Sequence, residues 1–173
     1  VEDINYSFTQ NSICNEAKLL SLNPNAIAKR TANKADLVIM LTNNVFTNFE
    51  GYGCIADGFL DRSFSNSYAI VLLNYSSGLY NVYIHELGHL FGADHEHDPK
   101  WSNEGCNHAH EIIPNQWFTV MHTRSPSLFD DFTFKAINFS NPDVFFLGYP
   151  TGIAAGNEPT NNAGAINQDG CTV

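Results

Sequence analysis

Residues 85–95 constrain the fold of this chain more than any other segment does. They are H-E-L-G-H-L-F-G-A-D-H, which is the pattern H-E-x-x-H-x-x-G-x-x-H. On an α-helix, positions i and i+4 lie on one face, one turn apart, so His85 and His89 point the same way. Glycine tolerates positive φ and is the usual residue just past a helix C-terminus. We therefore predict a helix that ends near Gly92 and a chain that doubles back to bring His95 to the same place.

Three histidines in this arrangement predict a site for one zinc ion. Imidazole nitrogen binds Zn²⁺ at roughly 2.0–2.1 Å, and three protein ligands leave a fourth position open, as catalytic zinc sites require. Glu86 adjoins the first histidine, so its carboxylate can reach a water on the metal without being a ligand, and we predict that it is the catalytic base. A chance match to the fixed residues is expected with a frequency on the order of 10⁻⁷ per window. This low frequency argues against the alternative that the three histidines are merely polar surface groups.

The motif resembles the signature of the metzincin clan of zinc endopeptidases. That clan also carries a methionine in a tight turn beneath the zinc, downstream of the third histidine. Met40 lies in a strand-like apolar run, whereas Met121 lies in T-V-M-H-T at residues 119–123. A lone methionine is more often core filler, but Met121 stands where the clan has its Met-turn. The resemblance, over residues 85–121, implies a zinc-dependent endopeptidase with Met121 as the floor of the site.

Shorter matches are similar to individual families of the clan. Glu96 and the V-M-H at residues 120–122 resemble astacins, although Thr123 stands where astacins and serralysins have a tyrosine that can touch the zinc. Other segments are more similar to bacterial reprolysin-type enzymes, including the peptidyl-Asp metallopeptidases. These segments are A-D-L-V-I-M-L at 35–41, G-C-I-A at 53–56, F-S-N-P at 139–142 and N-N-A at 161–163.

Two alternatives to this interpretation remain open. Gluzincin-type peptidases keep the first two histidines and take a glutamate further along the chain as the third ligand, here Glu104 or Glu111. Gly92 followed by His95 argues against that ligand set, because the turn would then serve no purpose. The other alternative is a secreted zinc-containing binding protein without proteolytic activity, and the presence of Glu86 argues against it.

The clan resemblance implies an α/β fold with two parts around a cleft. We expect a metzincin-like mixed twisted sheet with the active-site helix packed on it, at about residues 1–92. An irregular C-terminal subdomain with the Met-turn would follow, at about residues 93–173. No repeat, low-complexity run or charge block divides the chain. Residues 1–173 are therefore expected to form a single zinc metalloprotease catalytic domain.

Apolar patterns and helix breakers predict the individual elements. The Asn23-Pro24 pair interrupts two helical segments. The predicted helices are 15–22, 25–31, 80–91, a short helix at 133–138 and a last helix at 161–167. The predicted strands are 3–8, 37–41, 51–55 and 68–73, and residues from 96 to about 131 are expected to be rich in loops.

Two groups of residues are expected to bind substrate. The resemblance implies an edge strand, whose unpaired backbone groups can bind an extended peptide. It comprises Gly53, Cys54, Ile55 and Ala56. In the clan, residues just after the Met-turn line the S1′ pocket, which receives the side chain that follows the scissile bond; here these are Thr123 and Arg124. A buried Arg124 would favour an acidic side chain. The alternative is that Arg124 pairs with Asp130 or Asp131 on the surface.

Composition limits the partners of the chain. It has 173 residues, a formal net charge of −10 and a pI near 4.9, which disfavours nucleic acid and anionic membrane surfaces. Its apolar runs are too short to span a bilayer. We expect a monomer that acts on a peptide or protein substrate. Aspartates that could bind calcium are present, at Asp98, Asp130, Asp131 and Asp143, but no D-x-D-x-D-G loop is, so calcium is not predicted.

The chain has four cysteines, an even number that in a secreted protein indicates disulfides, whereas in a cytosolic protein they would be free buried thiols. Cys14, Cys54, Cys106 and Cys171 include no C-x-x-C pair, so we predict two disulfides, with three connectivities open, rather than a zinc–cysteine site. The chain begins at Val1, which is not a methionine. We therefore expect a secreted, mature form from which a signal peptide and an inhibitory pro-segment have been removed.

Overall fold

The structure is a computed structural model that describes residues 4, 6–48, 53–56, 67–73, 82–97, 105–113, 117–123, 134–156 and 158–167. These residues form a mixed α/β arrangement. The helices are α1 (Ile13–Leu22), α2 (Pro24–Ala32), α3 (Val82–Leu90) and α4 (Asn162–Ile166). The strands are β1 (Val38–Thr42), β2 (Gly53–Ile55), β3 (Tyr68–Leu72), β4 (Glu111–Ile113), β5 (Trp117–Phe118), β6 (Phe134–Lys135), β7 (Phe145–Phe146) and β8 (Tyr149–Pro150). None of the helices in these ranges is long and apolar enough to span a membrane.

The predicted interruption at Asn23-Pro24 separates α1 from α2. The side-chain oxygen of Asn23 accepts hydrogen bonds from the N–H groups of Asn25 at 3.0 Å and Ala26 at 3.1 Å, which caps α2. Pro24 occupies the start of α2, where the missing N–H costs nothing because the first turn has no intrahelical partner for it. Ser12 caps α1 in the same way. The local sequence therefore sets both helix starts.

The largest sheet has the strand order β1-β3-β2. β1 pairs with β3 in parallel, and β2 pairs with β3 in antiparallel orientation. Residues 68–71 of β3 are fully buried, as expected for an apolar central strand. Among the described strands β2 bonds only to β3, so it lies at the edge of the sheet, as the sequence predicts for residues 53–56. Helices α1 and α3 both pack against β2 and β3.

The core of the first part lies between α1 and this sheet. Ile13 and Leu20 of α1 pack with Tyr68 and Ile70 of β3, and all four side chains are buried. A disulfide between Cys14 and Cys54 joins α1 to the edge strand β2. Of the three possible disulfide connectivities, the structure therefore has the one that pairs Cys14 with Cys54. Cys106 is also disulfide-bonded, and Cys171 lies outside the described residues.

The second part is built from short elements tied together by polar side chains. Strands β4, β5 and β6 form one small sheet, and β7 and β8 form a hairpin. Asn162, at the start of α4, is fully buried. Its side-chain oxygen accepts from the N–H of Asp94 at 3.1 Å, and its amide nitrogen donates to the carbonyl of Asp94 at 3.3 Å. The N–H of Asn162 donates to the hydroxyl of Ser140 at 2.8 Å. Buried hydrogen bonds of this kind fix α4, predicted at 161–167, against the loop that follows α3.

Two of the predicted elements are wrong. The described residues of 3–8 form no strand; the buried carboxylate of Glu16 instead accepts from the hydroxyl of Tyr6 and from the N–H groups of Thr9 and Gln10. The segment 133–138 is not a helix, because residues 134–135 pair with β5 as strand β6. In the range from 96 to about 131, which is predicted to be rich in loops, the described residues also include the short strands β4 and β5. The ladder between β5 and β6 joins segments that do not follow each other directly in sequence, and local patterns do not encode it.

Candidate metal centre and active site

Helix α3 presents two of the three histidines and ends where the glycine predicts. His85 and His89 lie one turn apart on α3. The N–H of Gly92 donates to the carbonyl of His89 at 2.9 Å, and the N–H of Ala93 donates to the carbonyl of Gly88 at 3.0 Å. Gly92 has φ +91°, and a Cβ there would meet nothing within 4 Å. The backbone conformation, rather than a lack of space, therefore requires glycine at this turn.

The turn brings His95 to the other two histidines, so that three side chains form one cluster. The Nε2 atoms of His85 and His95 are 3.0 Å apart, those of His85 and His89 are 3.1 Å apart, and those of His89 and His95 are 2.9 Å apart. Tetrahedral coordination at roughly 2.0–2.1 Å separates neighbouring ligand nitrogens by about 3.3 Å. The nitrogen spacing thus fits a single metal ion. In the described ranges no other group of three or more His, Cys, Asp or Glu side chains converges in this way.

Main-chain carbonyls fix which ring nitrogen carries the proton in two of the histidines. Nδ1 of His85 is 3.0 Å from the carbonyl oxygen of Val120, and Nδ1 of His89 is 2.9 Å from that of Ala93. A carbonyl oxygen only accepts, so both Nδ1 atoms donate and both Nε2 atoms keep a lone pair. Burial, together with the charge of nearby His95, lowers the pKa of His89 to about 4. Neutral rings with converging lone pairs repel one another, so the cluster is suited to a cation.

Glu86 is buried against the edge strand β2. The residue is 6% exposed, and burial raises the pKa of Glu86 to about 8; a cation in the cluster would oppose that rise. A Cβ added at Gly53 would lie 2.6 Å from Cγ, 2.7 Å from Oε1 and 2.8 Å from Cδ of Glu86. The glycine therefore lets the backbone of β2 pass directly against the carboxylate. The sequence carries a hint of this contact, because a glycine inside an apolar strand marks close backbone approach.

Met121 lies in a tight turn beside the histidine cluster. The N–H of His122 donates to the carbonyl of Thr119 at 3.1 Å, which closes a turn through Val120 and Met121. The Met121 side chain is fully buried. A Cβ added at Gly88 on α3 would lie 2.5 Å from its sulfur. Gly88 therefore makes room for the methionine on the helix, a contact that no local sequence pattern indicates.

Glu96 links the loop of the third histidine to the segment after Met121. Its Oε2 accepts from the N–H of Thr123 at 2.7 Å, and its Oε1 accepts from the Thr123 hydroxyl. Nδ1 of His122 is 3.7 Å from Oε2. Burial raises the pKa of Glu96, but the hydrogen bonds from Thr123 and the charge of His122 outweigh it, so that the net pKa is lowered. The carboxylate is therefore held ionised across the two segments.

The remaining predicted residues are only partly described. Arg124 and the aspartates at 130 and 131 lie outside the described residues, as does Glu104, so the S1′ assignment of Arg124 and Thr123 stays a prediction. Glu111, the other glutamate of the gluzincin alternative, begins β4 and does not belong to the histidine cluster. The structure thus brings the three histidines together and leaves Glu111 outside their cluster.

Comparison with known proteins assigns the chain to a family. The reprolysin-type model of the metallopeptidase family M12 matches residues 2–133, which is more than half of the chain and includes all three histidines. No curated protein and no solved structure matches the chain.

Proposed function

This chain belongs to the metallopeptidase family M12, and we propose that it is a secreted zinc-dependent endopeptidase acting on a peptide or protein substrate. The observation that carries the proposal is the cluster of His85, His89 and His95 beside buried Glu86. Three imidazole nitrogens with a fourth position left open are typical of catalytic zinc sites, which is why we infer zinc.

The three Nε2 atoms would hold the ion. When bound, zinc supplies Lewis acidity to the scissile carbonyl and to the attacking water. The carbonyls of Val120 and Ala93 orient two of the rings through Nδ1, and partners of this kind typically contribute 10–100-fold to metal affinity. Main-chain groups of two separate segments therefore orient two of the three ligands.

Glu86 is the general base in this proposal. Its carboxylate accepts a proton from the attacking water and then passes that proton to the nitrogen of the leaving amine. Glu86 adjoins His85 on α3 and lies against Gly53 of β2. It therefore neighbours both the metal cluster and the strand that we propose for substrate binding.

Strand β2 is the proposed substrate-binding edge. It hydrogen-bonds to β3 on one side, so an extended peptide can add along the other side through main-chain hydrogen bonds. Because Gly53 contacts Glu86, a peptide bound along this edge passes close to the base. The residues concerned are Gly53, Cys54, Ile55 and Ala56.

The second part of the chain supplies the floor of the site. We identify the turn at residues 119–123 with the Met-turn, supported by the buried side chain of Met121 and its approach to Gly88. Met121 takes no part in the chemistry and supports the helix that carries the histidines. With this floor, residues 1–173 would form one catalytic domain, with an upper part at about 1–92 and a lower part at about 93–173.

Substrate preference and location are further parts of the proposal. Arg124, three residues past Met121, would favour an acidic side chain after the scissile bond. The Cys14–Cys54 disulfide supports secretion, because disulfides persist in oxidising compartments. We expect a monomer that is kept inactive by its own pro-segment before maturation and that binds neither nucleic acid nor membranes.

Replacing Glu86 by glutamine tests the proposed base. Glu86→Gln keeps the shape of the side chain but cannot accept the proton, so kcat/KM should fall at least about 10²-fold while one zinc ion per chain is retained. Peptide turnover and zinc content of the same sample are the measurements. Glu111→Gln is the matched control and should keep both. Full turnover in Glu86→Gln would remove the assignment, and loss of zinc in Glu111→Gln would favour the gluzincin ligand set.

A further inference from the structure

Two histidines outside the metal cluster carry ring nitrogens without a partner. The rings of His97 and His108 lie side by side, with centroids 4.9 Å apart and planes inclined by 57°. His108 is 1% exposed. Within the part of the chain that the structure describes, Nδ1 of His97 and Nε2 of His108 are buried and make no hydrogen bond. A buried polar atom without a partner is costly, so this pair needs an explanation.

The protonation of His108 follows from its one hydrogen bond. Nδ1 of His108 is 3.0 Å from the carbonyl oxygen of His95, and a carbonyl only accepts, so Nδ1 carries the proton. In the neutral ring Nε2 is then a lone-pair donor in a buried place. His85 and His89 have the same arrangement, with Nδ1 bonded to a carbonyl and Nε2 left for the metal. Metal-binding histidines have this pattern almost without exception.

We propose that His97 and His108 form a second metal-binding site, distinct from the cluster of His85, His89 and His95. The two rings are 4.9 Å apart, so rotation of the side chains can bring Nδ1 of His97 and Nε2 of His108 to one ion. Imidazole ligands suit divalent zinc, copper and nickel rather than calcium or magnesium. Two protein ligands leave the other positions to solvent, so the second site binds more weakly than the first.

The position of the pair indicates what the second ion would do. His97 lies two residues past His95, and His108 belongs to the segment that runs beside that loop. The N–H of Ala109 donates to the carbonyl of His95 at 3.1 Å, and the N–H of Asp94 donates to the carbonyl of Asn107. An ion between the two rings would tie these segments together and would raise the thermal stability of the region that presents His95.

Metal stoichiometry tests the second site independently of peptidase activity. The metal-free chain is dialysed to equilibrium against zinc buffered from nanomolar to micromolar free concentration, and bound zinc is counted. We expect two ions per chain in the unchanged protein, the second at higher free zinc, and one ion per chain in His108→Ala. His97→Ala should also bind one ion. Because His97 is only half-buried, this variant tests the site even if His108→Ala fails to fold. His110→Ala, in the same segment, is the matched control and should bind two.

A single zinc ion per chain at every concentration would overturn the second site and would leave a bridging water as the partner of the two nitrogens. Two ions per chain in both His97→Ala and His108→Ala would also overturn it, because the second ion would then lie elsewhere. Thermal melts of the same samples give a second measurement. The melting temperature should rise between the first and second zinc equivalents in the unchanged protein and in His110→Ala, but not in the other two variants.

Discussion

His85 and His89 take their ring orientation from main-chain carbonyls rather than from other side chains. The carbonyls belong to Val120 and Ala93, one in the turn with the buried methionine and the other just past the end of α3. Because every residue carries a carbonyl, substitutions at these two positions that keep the backbone path should keep the ring orientation. The backbone path of two loops, rather than the identity of their side chains, therefore sets the ligand geometry.

Gly53→Ala should impair catalysis without removing the metal. The new methyl group would overlap the side chain of Glu86, so the carboxylate must move, and misplacement by about 1 Å can cost about 10²-fold in rate. We expect kcat to fall about 10–10²-fold while the zinc content stays at the level of the unchanged protein. Steady-state kinetics and metal analysis of the same sample check this.

Gly152→Ala is the matched control for the Gly53 variant. A Cβ at Gly152 would also meet neighbouring atoms, but these belong to the main chain of Thr160 and Asn141 and not to Glu86. It should lower stability by about 1–3 kcal/mol and leave kcat of the folded protein unchanged. Equal kcat values in Gly53→Ala and the unchanged protein would show that the contact with Glu86 does not position the base.

The hydrogen bond from the Thr123 hydroxyl to Glu96 should contribute to the free energy of unfolding. Thr123→Ala removes the hydroxyl donor to a half-buried carboxylate, and we expect a loss of about 1 kcal/mol, since Thr123 itself is exposed. Thr123→Ser keeps the hydroxyl and should keep the stability. Urea unfolding of the zinc-loaded variants measures the difference, and identical midpoints for the alanine and serine variants would contradict it.

For individual residues, the sequence predicts the three histidine ligands but not the side chains that surround them. His85, His89 and His95 converge as their spacing predicts, because helix periodicity and the glycine turn are local properties. The contacts of Gly53 with Glu86 and of Gly88 with Met121 join segments far apart in sequence. Only the folded chain brings them together, so neither contact could be assigned from residue spacing.

Among the elements, α1 and the edge strand β2 are held together covalently. The Cys14–Cys54 disulfide spans 40 residues of sequence. Replacing both cysteines by serine should lower the free energy of unfolding by about 3–4 kcal/mol, chiefly because the unfolded chain gains freedom. Urea unfolding under non-reducing conditions measures the loss. An unchanged midpoint in the double variant would show that packing alone holds β2 on α1.

Elements with strong local signals are the ones that the sequence predicts well. The break at Asn23-Pro24 and the end of α3 near Gly92 lie where capping and glycine chemistry place them. The wrong predictions concern short segments that are held by partners outside the segment: residues 134–135 become a strand by pairing with β5, and residues 6–10 are held by Glu16. Contacts with other segments override weak local preference in such cases.

Considered across the entire chain, the metal cluster and its surroundings draw on segments that are far apart in sequence. His85 and His89 come from α3, and His95 comes from the loop beyond it. The turn that carries Met121 contributes the carbonyl that orients His85. Asn162 of α4 then fixes the loop through Asp94. A site assembled from distant segments should form only in the folded chain, so zinc binding and folding should be coupled.

The most direct test of the proposed peptidase is cleavage of an unbiased peptide library with and without a zinc chelator, with the cut sites mapped by mass spectrometry. We predict cuts that disappear with the chelator, return when zinc is restored and are absent with Glu86→Gln. An acidic residue after the scissile bond would in addition support the role of Arg124. No cuts from a folded, zinc-loaded chain would contradict the proposal and would favour the zinc-containing binding protein.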